Sequence, residues 1–171
     1  MKKALIFRGG WDGHEPVLVS ERFGRLLEKH GVSVDICDGL ECLKDLDNLM
    51  TYDLIVACMT MSDIPREYVR NVTEAVSLGV GLAGCHGGMC DAFRQSTEWQ
   101  FMTGGQWVSH PGGDGVEYTV NVCHGTSPIT EGLEDFSSTA VRECIRSGNS
   151  IEKYMPPKAA EEVLRIILQQ K

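Results

Sequence analysis

The feature that most limits the fold is a rhythm of short apolar runs, each closed by glycine or a polar turn, alternating with helical stripes. Ala4 to Phe7 is such a run, ending in Arg8, Gly9 and Gly10, and reads as a buried strand that feeds a loop. Val19, Phe23, Leu26 and Leu27 then share one helical face, with Gly31 where a C-terminal stop belongs. Val32, Val34 and Ile36 alternate with Ser33, Asp35 and Cys37 as a strand, and Leu54 to Cys58 is a second buried one. Val69, Val72 and Val76 line a helix that Gly79 ends, and Val80 to Gly84 is a further strand. Strand, helix, strand, strand, helix, strand at these lengths predicts an α/β fold with a mostly parallel sheet and helices on both faces. Loops after the strand C-terminal ends should then hold the site.

Beyond residue 95 the pattern is thinner. Thr97 and Gln100 have capping-box spacing before a short helix, and Val116, Tyr118, Val120 and Val122 alternate as an antiparallel strand with one wet face. Pro128 and Gly132 mark a loop, and Pro156 and Pro157 precede a helical stripe of Ala160, Val163, Leu164, Ile167 and Leu168. No repeat or linker interrupts the 171 residues, which read as one domain. The net charge is −8, and no Lys or Arg cluster interleaves with aromatics, so neither nucleic acid nor an anionic membrane surface is an expected partner. The apolar run before Arg8 is too short for a signal-peptide core, and no stretch has the length of a bilayer span. Seven cysteines without a C-x-x-C argue against a disulfide framework or zinc ribbon and point to a reducing cytoplasm.

"GVGLAGCHGGMCD", residues 79–91, sets a cysteine beside a histidine at a strand end. A strand-to-helix elbow holds its central residue at positive φ and needs small neighbours two positions away. With Cys85 central these are Ala83 and Gly87; with His86 central they are Gly84 and Gly88, the better steric fit. Histidine also tolerates positive φ better than most bulky residues. Cys85 would then turn back into the fold as an inert buried thiol, the commoner state of free cysteine; as a nucleophile it would need a histidine partner.

Two other stretches have a similar character. "GGWDGHEP" offers Asp12, His14 and Glu15 after the first strand, and "GGQWVSHPGGDG" offers His110 and Asp114. Each has an ordinary reading: Asp12 and Glu15 as helix-start residues, His110 as a loop histidine beside proline. Together, His14, His86 and His110, with Glu15 or Asp91, form a candidate acid/base set or ligands for a divalent metal such as zinc, although no H-E-x-x-H spacing is present. Gly9, Gly10, Gly87 and Gly88 would shape the pocket floor, with Trp11, Asp12, Cys85 and Trp107 beside it. Trp11, Trp99 and Trp107 flank these loops, where an indole face suits a sugar ring or the core. His30 closes a helix, where a cation favours the dipole, and His124 sits at a turn; neither is assigned a function.

With "ALIFRGGWDGHEP", "GVGLAGCHGGMCDAFRQSTEWQFMTGGQWVSHPGG" and "SPITEGLEDF", the chain resembles the ThuA-like (trehalose utilisation) family over residues 2–136. The resemblance implies a flavodoxin-like three-layer sandwich similar to class I glutamine amidotransferases, with His86 where an amidotransferase carries its cysteine. It also implies His14, His86 and His110 as site positions and a sugar or sugar-derived small molecule as ligand. Residues 137–171 depart from the family pattern and look shortened or replaced, leaving a sheet edge for the final helix or a second copy of the chain to cover. The expectation is a cytoplasmic, homo-oligomeric protein of carbohydrate utilisation that binds and transforms its ligand by histidine-based acid/base or metal-assisted chemistry. The alternative is a non-catalytic binding or scaffold protein. A glutaminase with Cys85 as nucleophile ranks last, because no H-x-E pair follows downstream.

Overall fold

Alternate residues of the apolar runs face opposite sides of one sheet. In the computed structural model, which describes residues 1–110, 112, 113, 116 and 119–122, the strands are β1 (Lys3–Gly10), β2 (Ser33–Asp38), β3 (Leu54–Thr60) and β4 (Gly81–Gly84). All pair in parallel, in the order β2-β1-β3-β4. This is the start of a flavodoxin-like doubly wound sheet. The chain divides into two units, Met1–Val108 and Ser109–Lys171.

The helices are α1 (Pro16–Lys29), α2 (Leu46–Leu49), α3 (Arg66–Ser77), α4 (Gly87–Cys90) and α5 (Thr97–Thr103). On one face Ile6, Val56 and Cys58 pack against Val19, Phe23 and Leu27 of α1. On the other, Leu5, Phe7, Ile55, Ala57 and Met59 meet Val69, Val72 and Ala75 of α3 and Trp99 of α5. Helices on both faces make the first unit three-layered. Gly24 lets α1 lie close on β2: a Cβ there would stand 3.4 Å from Ile36 Cδ1.

Several local expectations need correction. β1 does not stop at Phe7 but runs on through Arg8, Gly9 and Gly10, paired with Cys58, Met59 and Thr60. Arg8 is tolerated in mid-strand because its guanidinium reaches Asp38 Oδ1 at 2.6 Å and Ser20 Oγ at 3.1 Å. Leu26, placed on the buried face of α1 by its spacing, is 55% exposed. The link from β2 to β3 holds a 3₁₀ turn (Glu41–Leu43) and the four-residue α2, too short to leave a periodic signature. In α5 the cap is Ser96, whose Oγ accepts from the Trp99 N–H at 3.2 Å, one residue before the expected Thr97.

In the second unit, the His110 carbonyl accepts from the Gly113 N–H at 3.0 Å, and Val120 makes a single β-bridge. Most of the remaining expectations there, including the final helix, His124 and the departure over 137–171, lie outside the described residues. Among the described residues, no helix is long and apolar enough to cross a membrane.

Candidate functional site

From β1 the chain crosses to β2 on one side, and β3 lies on the other, so the loops after β1 and β3 part and open a crevice at the strand C-terminal ends. Backbone approach is closest where those strands end. Gly10 (φ 81) faces Thr60 so tightly that a Cβ would lie 1.9 Å from the Thr60 carbonyl oxygen. That oxygen accepts from the Trp11 N–H at 3.1 Å. A 3₁₀ turn, Asp12–His14, brings His14 back over the crevice, and Glu15 in a left-handed conformation (φ 45) redirects the chain into α1 behind Pro16. His14 Nδ1 shares a 3.0 Å hydrogen bond with Thr60 Oγ1.

The elbow between β4 and α4 puts His86 at φ 50, ψ −142. His86, not Cys85, takes the strained tip. The glycines around it meet the steric demand: a Cβ on Gly84 would stand 2.6 Å from Met89 Cβ, one on Gly88 3.4 Å from Cys58 Cα, and one on Gly87 2.5 Å from His14 Cε1. The two imidazoles consequently meet, with ring centroids 4.9 Å apart at 68°. Trp11 extends this row on the His14 side (4.8 Å) and Trp107 on the His86 side (5.8 Å).

Beneath the rings is a cleft of about 140 Å³ lined by His14, Thr60, His86, Cys58, Cys85 and Val19, among others. Cys85 is exposed, which corrects the expectation of an inert buried thiol. Enough protein still surrounds its sulfur for desolvation to raise its pKa. Asp91, at the C-terminal end of α4, is 4% exposed and forms a two-point pair with Arg94 at 2.5 and 2.9 Å. Of the two carboxylates weighed beside the histidines, it is Asp91 whose charge acts on His14. Asp12 and Glu15 are exposed, and Glu15 makes no side-chain cap bond. His110 is exposed and belongs to the second unit. Trp99 is no ligand platform: it is buried against Phe7 and Phe93, and its indole N–H holds the Met89 carbonyl at 2.9 Å. Thr60 was not legible as a site residue; its only signal is a hydroxyl closing the apolar run of β3. In the first unit, no described group of three or more His, Cys, Asp or Glu is arranged to hold a metal ion.

Burial lowers the pKa of His14 below 6.5, the charge of His86 lowers it further, and Asp91 opposes both. The neutral ring is therefore favoured in the folded protein. Because the folded value lies below the unfolded one, this contribution to stability is present above pH 6.5 and is lost as pH falls through the folded value. NMR titration should find His14 protonating below the ordinary histidine value, and His86→Asn should raise it part of the way back, since burial is the larger cause. An unchanged His14 titration in that variant would mean the rings do not interact.

A family model described as "ThuA: Trehalose utilisation" matches residues 3–147. Comparison with curated proteins returns no match. Among solved structures, the crystal structure of a ThuA-like protein from Bacteroides uniformis is similar, with a TM-score of 0.58 and 19% identity over 80% of this chain. The chain spans 57% of the length of that protein, and the likeness is one of fold.

Proposed function

The chain belongs to the ThuA family, described as trehalose utilisation, and on that premise we propose that the crevice binds a sugar-derived small molecule with His14 and His86 as its acid–base pair. The observation that carries this reading is the pairing of two imidazoles, 4.9 Å apart, at the strand ends where α/β sheets take ligands. Thr60 occupies Nδ1 of His14, which leaves Nε2 as the ring nitrogen open to a ligand. A neutral His14 can accept a proton at pH 7, and a second imidazole beside it can deliver one to another atom of the same ligand. Trp11, 51% exposed, offers an indole face for the C–H face of a pyranose, and Trp107 stands at the other end of the row. Gly88 puts backbone, not a side chain, in the cleft lining, and Gly10 and Gly87 let Thr60 and His14 come close.

A zinc-assisted mechanism would need a third protein ligand beside His14 and His86, and the described residues of the first unit supply none. A glutaminase reading is disfavoured because the elbow presents the His86 imidazole, not a thiol, at its tip.

Isothermal calorimetry against monosaccharides, disaccharides including trehalose, and sugar acids tests the proposal. At least one should bind with a Kd of about 1 mM or tighter, the range in which enzymes commonly hold substrates, and Trp11→Ala should weaken that binding roughly tenfold. NMR of the same mixtures separates the enzyme from a binding protein: the first yields product, the second only heat. Equal binding by Trp11→Ala would move the ligand elsewhere, and no binding across the panel would overturn the sugar reading.

A further inference from the structure

We propose that Cys58 and Cys85 are a reversible oxidation site, forming a disulfide that ties the His86 elbow to β3. The last pair of the β3–β4 ladder is Ala57 with Gly84, and the next residue on each strand is a cysteine. Residues in register on parallel neighbours send their side chains to the same face, and their backbones lie about 5 Å apart. A disulfide spans Cα atoms about 4.4–6.8 Å apart, so the two positions match its reach. Both side chains line the one cleft, on the α1 side of the sheet, and both thiols are free. They differ in access: Cys58 is 4% exposed, whereas Cys85 is open. Burial pushes the Cys58 thiol up to about 12, and a charge on the nearby Cys85 sulfur adds to that shift.

That difference assigns the roles with a hydroperoxide as oxidant. The Cys85 thiolate attacks one peroxide oxygen, the O–O bond breaks, and the departing hydroxide takes a proton to leave as water (or as an alcohol from an alkyl hydroperoxide). Cys85 is then a sulfenic acid. The Cys58 sulfur, losing its proton, attacks the Cys85 sulfur; the S–O bond breaks and a second water leaves. Peroxide is reduced and the two thiols are oxidised to one disulfide, which a dithiol reverses. The new bond crosses the cleft wall next to His86 and fixes the elbow from below. This inference does not depend on the ligand or the reaction proposed above.

The test uses the reduced full-length protein, treated with hydrogen peroxide, digested and mapped by tandem mass spectrometry. A Cys58–Cys85 link is expected, with loss of two hydrogens, disappearance of both thiols from iodoacetamide labelling, and full reversal by dithiothreitol. The link should persist in Cys90→Ser, which removes the nearest competing cysteine in sequence. In Cys58→Ala, Cys85 has no resolving partner and should proceed to sulfinic acid. Linkage of Cys85 to Cys37, Cys42, Cys90, Cys123 or Cys144 instead would overturn the proposal. Over-oxidation of Cys85 in the wild-type protein while Cys58 stays alkylatable would overturn it too, as would no reaction at either thiol.

Discussion

Gly10→Ala is expected to remove about 3–5 kcal/mol of stability, placing it among the most damaging single-methyl additions the fold can suffer. Two penalties act at once. At φ 81 an alanine is strained, which alone costs about 1–2 kcal/mol. Its Cβ would also lie 1.9 Å from Thr60 O and 2.7 Å from Thr60 N, both backbone atoms of the neighbouring strand that cannot rotate aside. The strand ends must part, and the Trp11 N–H loses its bond to Thr60 O at the same time. Gly31→Ala is the internal control, because Gly31 has nearly the same φ of 79 but nothing within 4 Å of an added Cβ. It should cost only the strain, about 1–2 kcal/mol. Denaturant unfolding of both variants isolates the contact term. Equal losses would show that β1 and β3 do not approach so closely at the crevice.

The order of elements was readable because burial on both faces makes the two central strands continuous apolar runs, and such runs need no neighbour to be recognised. Leu54–Cys58 and Ala4–Phe7 are of this kind. What escaped detection depended on partners far along the chain. Arg8 looks like the end of a strand until Asp38 and Ser20 supply its bonds, and the two glycines after it look like a loop until Met59 and Thr60 pair with them. Leu26 has the correct helical spacing but lies just outside the arc that Val19, Phe23 and Leu27 bury. The short crossover from β2 to β3 is stabilised by Leu43 and Leu49 entering the core, not by any local repeat.

At the site, the elbow register was legible because it is a local steric question: glycines two positions to either side of His86 answer it within five residues. The meeting of His86 with His14 was only an expectation from loop placement, since 72 residues separate them, and the strand order brings them together. Thr60 carries no chemical signal beyond a hydroxyl at the end of an apolar run. Its role arises because β3 ends one residue beneath the turn that returns His14 to the crevice. Cys85 departs from the expected buried state for a related reason. Free cysteine is usually buried, but the β3–β4 ladder ends at Gly84, and Cys85, one residue beyond it, is exposed in the cleft it shares with Cys58.

His86→Gly should separate function from stability in the opposite sense to most active-site substitutions. At φ 50, ψ −142 the histidine occupies backbone space suited to glycine, at a cost of about 1–3 kcal/mol. Glycine relieves that strain but loses about 0.5–1 kcal/mol through the greater freedom of its unfolded chain. The variant should therefore melt at the wild-type temperature or a few degrees above it. His86→Ala, which keeps the strained backbone and loses the ring, should be less stable than His86→Gly, reversing the usual order of those two residues. Turnover of whichever ligand the calorimetry identifies should fall about 10²- to 10⁴-fold in both, the usual worth of a positioned acid or base. Retained turnover would remove the imidazole from the mechanism. A melting temperature well below wild type in His86→Gly would mean that the ring is held for its packing against His14 and Trp107, with the unfavourable backbone as a by-product and not the means by which an imidazole is kept at the mouth of the cleft.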